Sequence, residues 1–328
     1  MAAPGSHRVA AIDCGTNSLR LLIADIDPAA RSLTDVLRRM EIVRLGQGVD
    51  ATGRLAPQAL DRTFAMLDEY AAAIADSGAG AVRLVATSAT RDASNAGEFA
   101  AGVKRILGVD PEVVSGAEEA HLSFSGATAE LTASAGTAPE PPFLVVDIGG
   151  GSTEFVVGNP GSDQDLAALS VDIGCVRLTE RHLRDDPPHP GQIAAARADI
   201  DAALNRVAGA VPAATARTLV GLAGSVTTLT AIALNLAVYD PGKTHHARVS
   251  AAQVREVTER LLTLDHAGRA AITVIHPGRV DVIGAGALIL ERVMDRFGFD
   301  SLVTSEHDIL DGIAWSLVTG TPAATPRS

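Results

Sequence analysis

The sequence predicts an α/β protein whose two domains share one repeated unit. Strand and helix patterns alternate through the first third of the 328-residue chain, which favours a sheet covered by helices. The pattern then restarts at Phe143, after a stretch rich in Ala, Gly, Thr and Pro at 132–142. The composition is that of a folded protein, since 47% of the residues are hydrophobic and 20% are charged. A single large α/β domain is the alternative at this length.

The first unit begins with a meander of three strands, predicted at Val9–Asp13, Leu19–Asp25 and Val36–Leu45. Pro57 then opens a long amphipathic helix that ends near Gly78. The remaining elements of this unit are a buried strand at 82–86, a helix at 96–107, a strand around 112–114 and a helix at 116–131.

The second unit repeats this layout. An apolar strand at Phe143–Asp147 leads into a glycine turn and a second strand at Glu154–Val157, as at the N-terminus. A helix at 279–297, a strand at 301–304 and a last helix from about 308 to 318 follow. We therefore expect one domain at 1–130, completed by a C-terminal helix at about 305–320, and a second domain at 131–304.

Charge, cysteine content and polarity exclude several classes of protein. The chain has 27 Lys and Arg against 39 Asp and Glu, and a net charge of −12 argues against nucleic-acid binding. Cys14 and Cys175 are too few for a disulfide scaffold, which predicts a cytoplasmic protein. The uncharged segment Thr218–Tyr239 is long enough to cross a bilayer, but its Gly, Ser, Thr and Asn residues predict a buried strand, a turn and a core helix instead.

Each unit places an aspartate and then a polar turn after its first strand. The aspartates are Asp13 and Asp147, and the turns are Gly15, Thr16, Asn17 and Ser18 in the first unit and Gly149, Gly150, Gly151, Ser152 and Thr153 in the second. Backbone N–H groups and hydroxyls in such turns bind phosphate oxygens. Because the acids alone would repel phosphate, the pattern predicts Mg²⁺ between them and the ligand. Two ordinary glycine turns with aspartate caps are the alternative.

Three further charged residues have two interpretations each. Glu154 either points back toward the same cation or is a solvated glutamate at the edge of a strand. Glu119 either stabilises the first turn of a helix that begins after Ser115, or acts as a general base with a raised pKa. Arg91, in the loop after a buried strand, either binds phosphate or forms a surface ion pair.

Eight segments carry a resemblance to a known family. They are AIDCGTNS (11–18), TSATRDASN (87–95), VVSGAEEAHL (113–122), VVDIGGGSTEFVVG (145–158), GCVRLTE (174–180), GLAGSVTTL (221–229), RVDVIGAGALIL (279–290) and SEHDILDGI (305–313). In this order they closely resemble the exopolyphosphatase and guanosine pentaphosphate phosphatase family, a branch of the actin, sugar kinase and Hsp70 fold group.

The resemblance implies two actin-like (ribonuclease H-like) domains that flank a cleft, with the final helix packed on the first domain. It also implies that Asp13, Asp147 and Glu154 contact magnesium, that Glu119 activates water, and that Arg91 and both turns bind phosphate. The implied reaction is hydrolytic release of terminal orthophosphate from inorganic polyphosphate by a homodimer. Longer relatives carry an additional helical C-terminal domain, so short polyphosphate chains are the expected substrates here.

Three other functions stay open at this point. Hydrolysis of guanosine pentaphosphate to the tetraphosphate would use the same site on a nucleotide end. An actin-like kinase would bind ATP through the turn at Gly221–Ser225 and transfer phosphate to an acceptor. A weakly catalytic regulator would bind polyphosphate or an alarmone without releasing orthophosphate.

Overall fold

The computed structural model describes residues 6–129, 131, 139–161 and 166–319. Residue 130 and residues 132–138, where the sequence predicts the linker and the domain boundary, lie outside the described residues. In the part that is described, no helix is long and apolar enough to cross a membrane.

The first sheet has five strands in the order β3-β2-β1-β4-β5. Its strands are β1 (His7–Cys14), β2 (Ser18–Asp27), β3 (Ser32–Ile42), β4 (Ala81–Ala86) and β5 (Glu112–Val113). β1, β2 and β3 form an antiparallel meander, whereas β4 and β5 run parallel to β1. The β1–β2 hairpin, which we call the first hairpin, thus lies at the centre of the sheet.

The second sheet has six strands in the order β10-β11-β9-β6-β7-β8. Its strands are β6 (Phe143–Ile148), β7 (Thr153–Gly158), β8 (Ala167–Val171), β9 (Thr218–Leu222), β10 (Arg248–Ser250) and β11 (Ser301–Thr304). β6, β7 and β8 form an antiparallel meander, and β9 and β11 run parallel to β6. β6 and β7 form the second hairpin, which has the same place in its sheet as the first.

The two sheets therefore share one topology, a three-stranded meander followed by two parallel strands. This confirms the predicted α/β fold built from a repeated unit. β10, an antiparallel strand at the edge of the second sheet, has no counterpart in the first. Neither β10 nor β8 was predicted from the sequence, and β3 begins four residues before the predicted strand.

Thirteen helices surround the described sheets. They are α1 (Val49–Thr52), α2 (Pro57–Ser77), α3 (Ser88–Asp92), α4 (Ala96–Leu107), α5 (Gly116–Thr128), α6 (Cys175–Arg181), α7 (Pro190–Ala210), α8 (Ala223–Ala233), α9 (Pro241–Thr244), α10 (Ala251–Thr263), α11 (His266–Ala270), α12 (Ile283–Phe297) and α13 (Ile309–Thr319). The uncharged segment at 218–239 forms β9 and α8, which confirms the prediction of a buried strand and a core helix.

Local signals explain where the helices that matter for the site begin and end. Pro57 occupies the first position of α2, and Gly78 ends that helix in a left-handed conformation with φ of 71°. Ser115 caps α5 by accepting a hydrogen bond from the N–H of Glu118. The cap fixes the first turn of α5, in which Glu119 lies.

The C-terminal helix α13 returns to the first sheet. Ile309, Leu310 and Ile313 are buried there against strands β1, β2 and β4. α13 also crosses α5 in backbone contact, because a Cβ on Gly126 would lie 1.9 Å from the carbonyl oxygen of Asp308. This close contact therefore fixes the position of α5, which carries Glu119, relative to α13.

Candidate active site

The ends of β1 and β6 carry the two predicted aspartates. Asp13 is the penultimate residue of β1, and Asp147 is the penultimate residue of β6. In each hairpin a glycine N–H closes the turn on the carbonyl of the serine three residues later: Gly15 and Gly149 both donate at 3.0 Å. The two acids therefore lie at equivalent positions of equivalent turns.

The two turns are in direct contact. A Cβ on Gly150 would lie 2.9 Å from Cβ of Thr16, and a Cβ on Gly151 would lie 2.6 Å from Oγ of Ser88. Oγ of Thr16 and Oγ of Ser88 are hydrogen-bonded to each other at 2.8 Å. The second turn needs glycine at these positions because any side chain would push the turns apart.

Asp13 is held by an arginine from the neighbouring strand. Arg20 lies directly opposite Asp13 in the register of the first hairpin, and its Nε and Nη2 donate to Asp13 Oδ2 at 2.8 and 2.6 Å. Its Nη1 donates to Asp308. Burial raises the pKa of Asp13, and Arg20 opposes that shift. Oδ1 of Asp13 is buried without a hydrogen-bond partner among the described residues.

Asp147 faces another acid instead. Glu154 lies opposite it in the register of the second hairpin. Ser123 donates to Asp147 Oδ2 and Ser170 donates to Glu154 Oε1, each at 2.7 Å. Burial raises the pKa of Asp147 to about 6, while burial together with the charge of Glu119 raises the pKa of Glu154 well above its usual range. The second hairpin thus holds two buried acids that repel each other.

Glu119 is buried at the start of α5, with 7% of its surface exposed. Arg91 Nη1 donates to Glu119 Oε2 at 3.1 Å and to the carbonyl of Val114 at 3.0 Å. Burial raises the pKa of Glu119 to about 8, although Arg91 opposes the shift. A carboxyl group with a pKa in this range can take up a proton and lose it again near neutral pH, as a general base must.

A cavity of about 80 Å³ opens where the two turns meet. Three predicted acids, Asp13, Glu119 and Asp147, line this catalytic pocket. Seven of the predicted turn residues line it as well: Gly15, Thr16, Asn17, Ser18, Gly149, Gly150 and Ser152. The structure therefore collects residues from both hairpins and from α5 around a space that suits a group of phosphate size.

Four predicted site residues lie outside the pocket wall. Gly151 packs against Ser88, and Thr153 donates its hydroxyl to the carbonyl of Ile173. Glu154 lies opposite Asp147 on the neighbouring strand and is 1% exposed, so it is not a solvated glutamate at a strand edge. Arg91 forms an ion pair, as the second interpretation of this residue predicts, and its partner is the buried Glu119 of the candidate site. The roles of these four residues in binding phosphate or metal remain predictions.

Sequence reasoning missed three charged residues of the site, Arg20, Arg279 and Asp308. Arg20 could have been found, because a hairpin centred on the predicted turn places it opposite Asp13. Arg279 lines the catalytic pocket, and its guanidinium lies on Gly224, where a Cβ would be 2.1 Å from Cζ. Only the tertiary fold brings Asp308 to Arg20, since the two are 288 residues apart.

The described residues fit a hard divalent cation that also binds the substrate. They contain no group of three or more His, Cys, Asp or Glu side chains that could hold a metal ion alone. Magnesium usually takes only one or two protein carboxylates and completes its shell with water and phosphate oxygens. Asp13 offers a buried oxygen without a partner, and Asp147 offers a second carboxylate on the same pocket wall. An excess of buried acids also favours a cation here.

Comparison with known proteins gives three findings. The family model described as "Ppx/GppA phosphatase family" matches residues 22–319. Exopolyphosphatase 2 of Mycobacterium tuberculosis is 50% identical over 321 residues, which cover 94% of this chain and 98% of that protein. The guanosine-5'-triphosphate,3'-diphosphate pyrophosphatase of Aeromonas hydrophila is 30% identical, over 94% of this chain and 59% of that protein.

A solved structure agrees with the fold over nearly the whole chain. The crystal structure of an exopolyphosphatase-like protein superposes with a TM-score of 0.90 and 43% sequence identity. The match covers 95% of this chain and 98% of that one. The same arrangement of two sheets is therefore found in a relative of similar length.

Proposed function

The chain belongs to the Ppx/GppA phosphatase family, and on that premise we propose that it is an exopolyphosphatase, which hydrolyses the terminal phosphoanhydride bond of inorganic polyphosphate. The observation that carries this proposal is the catalytic pocket. Two polar turns, an unpartnered aspartate oxygen and a glutamate whose pKa is raised to about 8 meet there in about 80 Å³. A terminal phosphate needs all three: donors for its oxygens, a compensated charge and a base for water.

The turns would bind the phosphate oxygens. Thr16 and Asn17 line the pocket from the first turn, and Gly150 and Ser152 line it from the second, so their N–H groups and hydroxyls would be the donors. Arg279 adds a positive charge on the same wall. Donors fixed in this way before the substrate arrives need not reorganise as charge develops on the phosphate.

Magnesium would be held by Asp13 and Asp147, with Glu154 behind Asp147. When bound, the cation neutralises charge on the phosphate oxygens. Members of the family typically use a divalent metal. The serine hydrogen bond on Asp147 and the arginine on Asp13 each occupy Oδ2, so that the Oδ1 atoms are the ones to serve as ligands.

Glu119 would act as the general base. It accepts a proton from the water whose oxygen attacks the terminal phosphorus. The bond between that phosphorus and the bridging oxygen breaks, and its electron pair leaves with the shortened polyphosphate chain. Arg91 holds Glu119 through Oε2, which leaves Oε1 for the water. No covalent enzyme intermediate is needed.

The test is orthophosphate release from polyphosphates of graded length, with Mg²⁺ and with EDTA. We expect release that depends on Mg²⁺ and needs no acceptor. Release that requires an acceptor would favour the kinase, and tight binding of polyphosphate with no release would favour the regulator. Either result overturns the proposal.

A second activity, hydrolysis of guanosine pentaphosphate, has one observation in its favour. A second cavity of about 410 Å³ adjoins the catalytic pocket and shares Arg20, Gly224 and Arg279 with it. Apolar and aromatic side chains such as Tyr239 and Ile275 line it, which suits a nucleoside better than a bare phosphate chain. Turnover of guanosine pentaphosphate below that of short polyphosphate by orders of magnitude would remove this candidate.

The division of the chain into domains stays a proposal. We infer one domain at 1–130 with about 305–320, and another at 131–304. The two sheets support this division, as do the contacts of α13 with β1, β2 and β4. The homodimer and the cytoplasmic location stay proposals as well, to be tested by light scattering and by cell fractionation.

A further inference from the structure

Asp308 connects the last helix of the chain to the aspartate of the first hairpin. It lies immediately before α13 and is 4% exposed. Its Oδ1 accepts the N–H of Leu310 at 3.0 Å, and its other carboxylate oxygen accepts Nη1 of Arg20. The remaining arms of that guanidinium, Nε and Nη2, both donate to Oδ2 of Asp13. One arginine thus bridges two buried carboxylates.

The bridge fixes which oxygen of Asp13 is available. Arg20 occupies Oδ2 with two hydrogen bonds, and Oδ1 is the buried atom without a partner among the described residues. A guanidinium held only by Asp13 could rotate or move toward the pocket that it lines. Because Asp308 holds the opposite side of the guanidinium, Arg20 stays on Oδ2 of Asp13 and leaves Oδ1 without a hydrogen bond.

Asp308 also sets the charge around Asp13. Without Asp308, the positive charge of Arg20 would cancel the negative charge of Asp13. The neutral pair would then attract a divalent cation only weakly. Asp308 shares the arginine, so the group of three keeps one net negative charge next to Asp147. Loss of a carboxylate that orients a metal ligand without touching the metal typically costs about 10- to 100-fold in metal affinity.

Asp308 is itself anchored. Its N–H donates to Asp311 Oδ2 at 2.9 Å, and Asp311 Oδ1 accepts Nη2 of Arg38 at 2.5 Å. Asp311, which is 2% exposed, thus holds Asp308 in place, and its own charge pairs with Arg38 of β3. Because replacing Asp311 would disturb Asp308, the control is Glu306, two residues earlier in the chain, which accepts the hydroxyl of Tyr239 at 2.7 Å and lies outside the wall of the catalytic pocket.

We propose that Asp308 is a positioning residue for the divalent cation: acting through Arg20, it holds Asp13 with Oδ1 free for the metal. The inference rests on the proposed function, because it assumes that Asp13 binds a metal. It assigns a role to the start of the C-terminal helix, which contributes no group to the reacting phosphate itself.

The experiment measures Mn²⁺ binding by electron paramagnetic resonance in the presence of orthophosphate, the reaction product, so that the cation has a phosphate ligand and turnover does not enter. Asp308→Asn keeps the size of the side chain and the acceptor for Leu310 but removes the charge that holds Arg20. We expect Asp308→Asn to weaken Mn²⁺ binding about tenfold. Asp308→Glu should recover part of the loss, and Glu306→Gln should stay within about twofold of the unsubstituted protein.

The outcomes separate this inference from the proposed function. If the unsubstituted protein releases orthophosphate and binds Mn²⁺, but Asp308→Asn binds it equally well, the positioning role is wrong and the proposed function stands. An equal loss in Asp308→Asn and Glu306→Gln also overturns the role, because it shows a general displacement of the segment that precedes α13. A protein that binds no divalent cation overturns both. If Asp308→Asn does not fold, Arg20→Lys replaces it, since an ammonium cannot span both carboxylates and should give the same loss.

Discussion

The two hairpins have the same backbone arrangement but differ in the residue that faces the aspartate. In both, an aspartate is the penultimate residue of the first strand and a glycine N–H closes the turn at 3.0 Å. Across the strands, however, Asp13 faces Arg20 in the first hairpin, whereas Asp147 faces Glu154 in the second. In the first hairpin Arg20 pairs with Asp13, whereas the two acids of the second hairpin face each other, and their charge must be offset by something that the pocket binds. The same hairpin therefore holds an aspartate paired with arginine in the first unit and two acids that repel each other in the second.

The largest expected effect lies where the two hairpins meet α5. Glu119→Gln removes the base but keeps the size of the side chain and its contact with Arg91. We expect kcat to fall by about 10²- to 10⁴-fold with little change in polyphosphate binding. The control is Glu118→Gln, because Glu118 pairs with Arg83 outside the catalytic pocket. Near-normal turnover by Glu119→Gln would contradict the assignment.

Removing the partner of each aspartate should change stability in opposite directions. Arg20→Gln leaves Asp13 and Asp308 buried without their cation, which should cost about 3–5 kcal/mol in the free energy of unfolding. Glu154→Gln relieves a repulsion and should add about 1–2 kcal/mol in the absence of metal, while it lowers activity. Urea denaturation in EDTA measures both values.

The sign of the change in the free energy of unfolding for Glu154→Gln decides whether the two hairpins differ. A less stable Glu154→Gln variant would show that Glu154 is a structural acid, satisfied by Ser170 and by the rest of its surroundings. The two hairpins would then be balanced in the same way, and the proposed specialisation would be wrong.

The contact between the turns predicts a smaller effect that is confined to catalysis. A Cβ on Gly150 would lie 2.9 Å from Thr16 Cβ, whereas a Cβ on Gly15 meets nothing closer than 3.5 Å. Gly150→Ala should therefore lower kcat/KM on the order of tenfold, because it moves the turns apart by a fraction of an ångström. The control is Gly97→Ala on α4, outside the catalytic pocket, where a Cβ would meet nothing within 4 Å, and this variant should stay close to the unsubstituted enzyme. Equal kinetics for the two variants would mean that the spacing of the turns is unimportant.

The pH dependence of stability is the smallest expected effect. Burial raises the pKa of Asp147 to about 6 and that of Glu119 to about 8. Each carboxyl thus binds its proton more tightly in the folded state, so its contribution to stability is present below the unfolded pKa of about 4 and is lost as the pH rises through the folded value. We expect the melting temperature in EDTA to fall between about pH 5 and about pH 8, and Mg²⁺ to reduce the fall. A melting temperature that rises across this range would contradict the raised pKa values of these buried carboxyl groups.

Sequence alone predicted the elements whose signals are local. Helix α4 begins and ends where its apolar period does, at Ala96 and Leu107, before the left-handed Gly108. Both hairpins were found because an apolar strand, a polar turn and a second apolar strand are contiguous. β8 and β10 were missed because one is half-exposed with no clear alternation and the other has three residues.

The charged contacts could be predicted only in part. Asp13, Glu119 and Asp147 were identified and line one pocket. Glu154 is buried rather than solvated, which spacing could not decide. The ion pair between Arg91 and Glu119 joins α3, where sequence predicted a loop, to α5, and Asp308 reaches Arg20 from the far end of the chain. Such pairs depend on how helices pack on the sheets, and a single sequence carries no local signal for that.

The most direct test of the central claim is a crystal structure of the Glu119→Gln variant with tripolyphosphate and Mg²⁺. The account predicts the terminal phosphate between the two turns, within hydrogen-bond distance of N–H groups from each, and the cation on Asp13 Oδ1 and Asp147. Tripolyphosphate bound outside this pocket, or a cation that contacts neither aspartate, would contradict it.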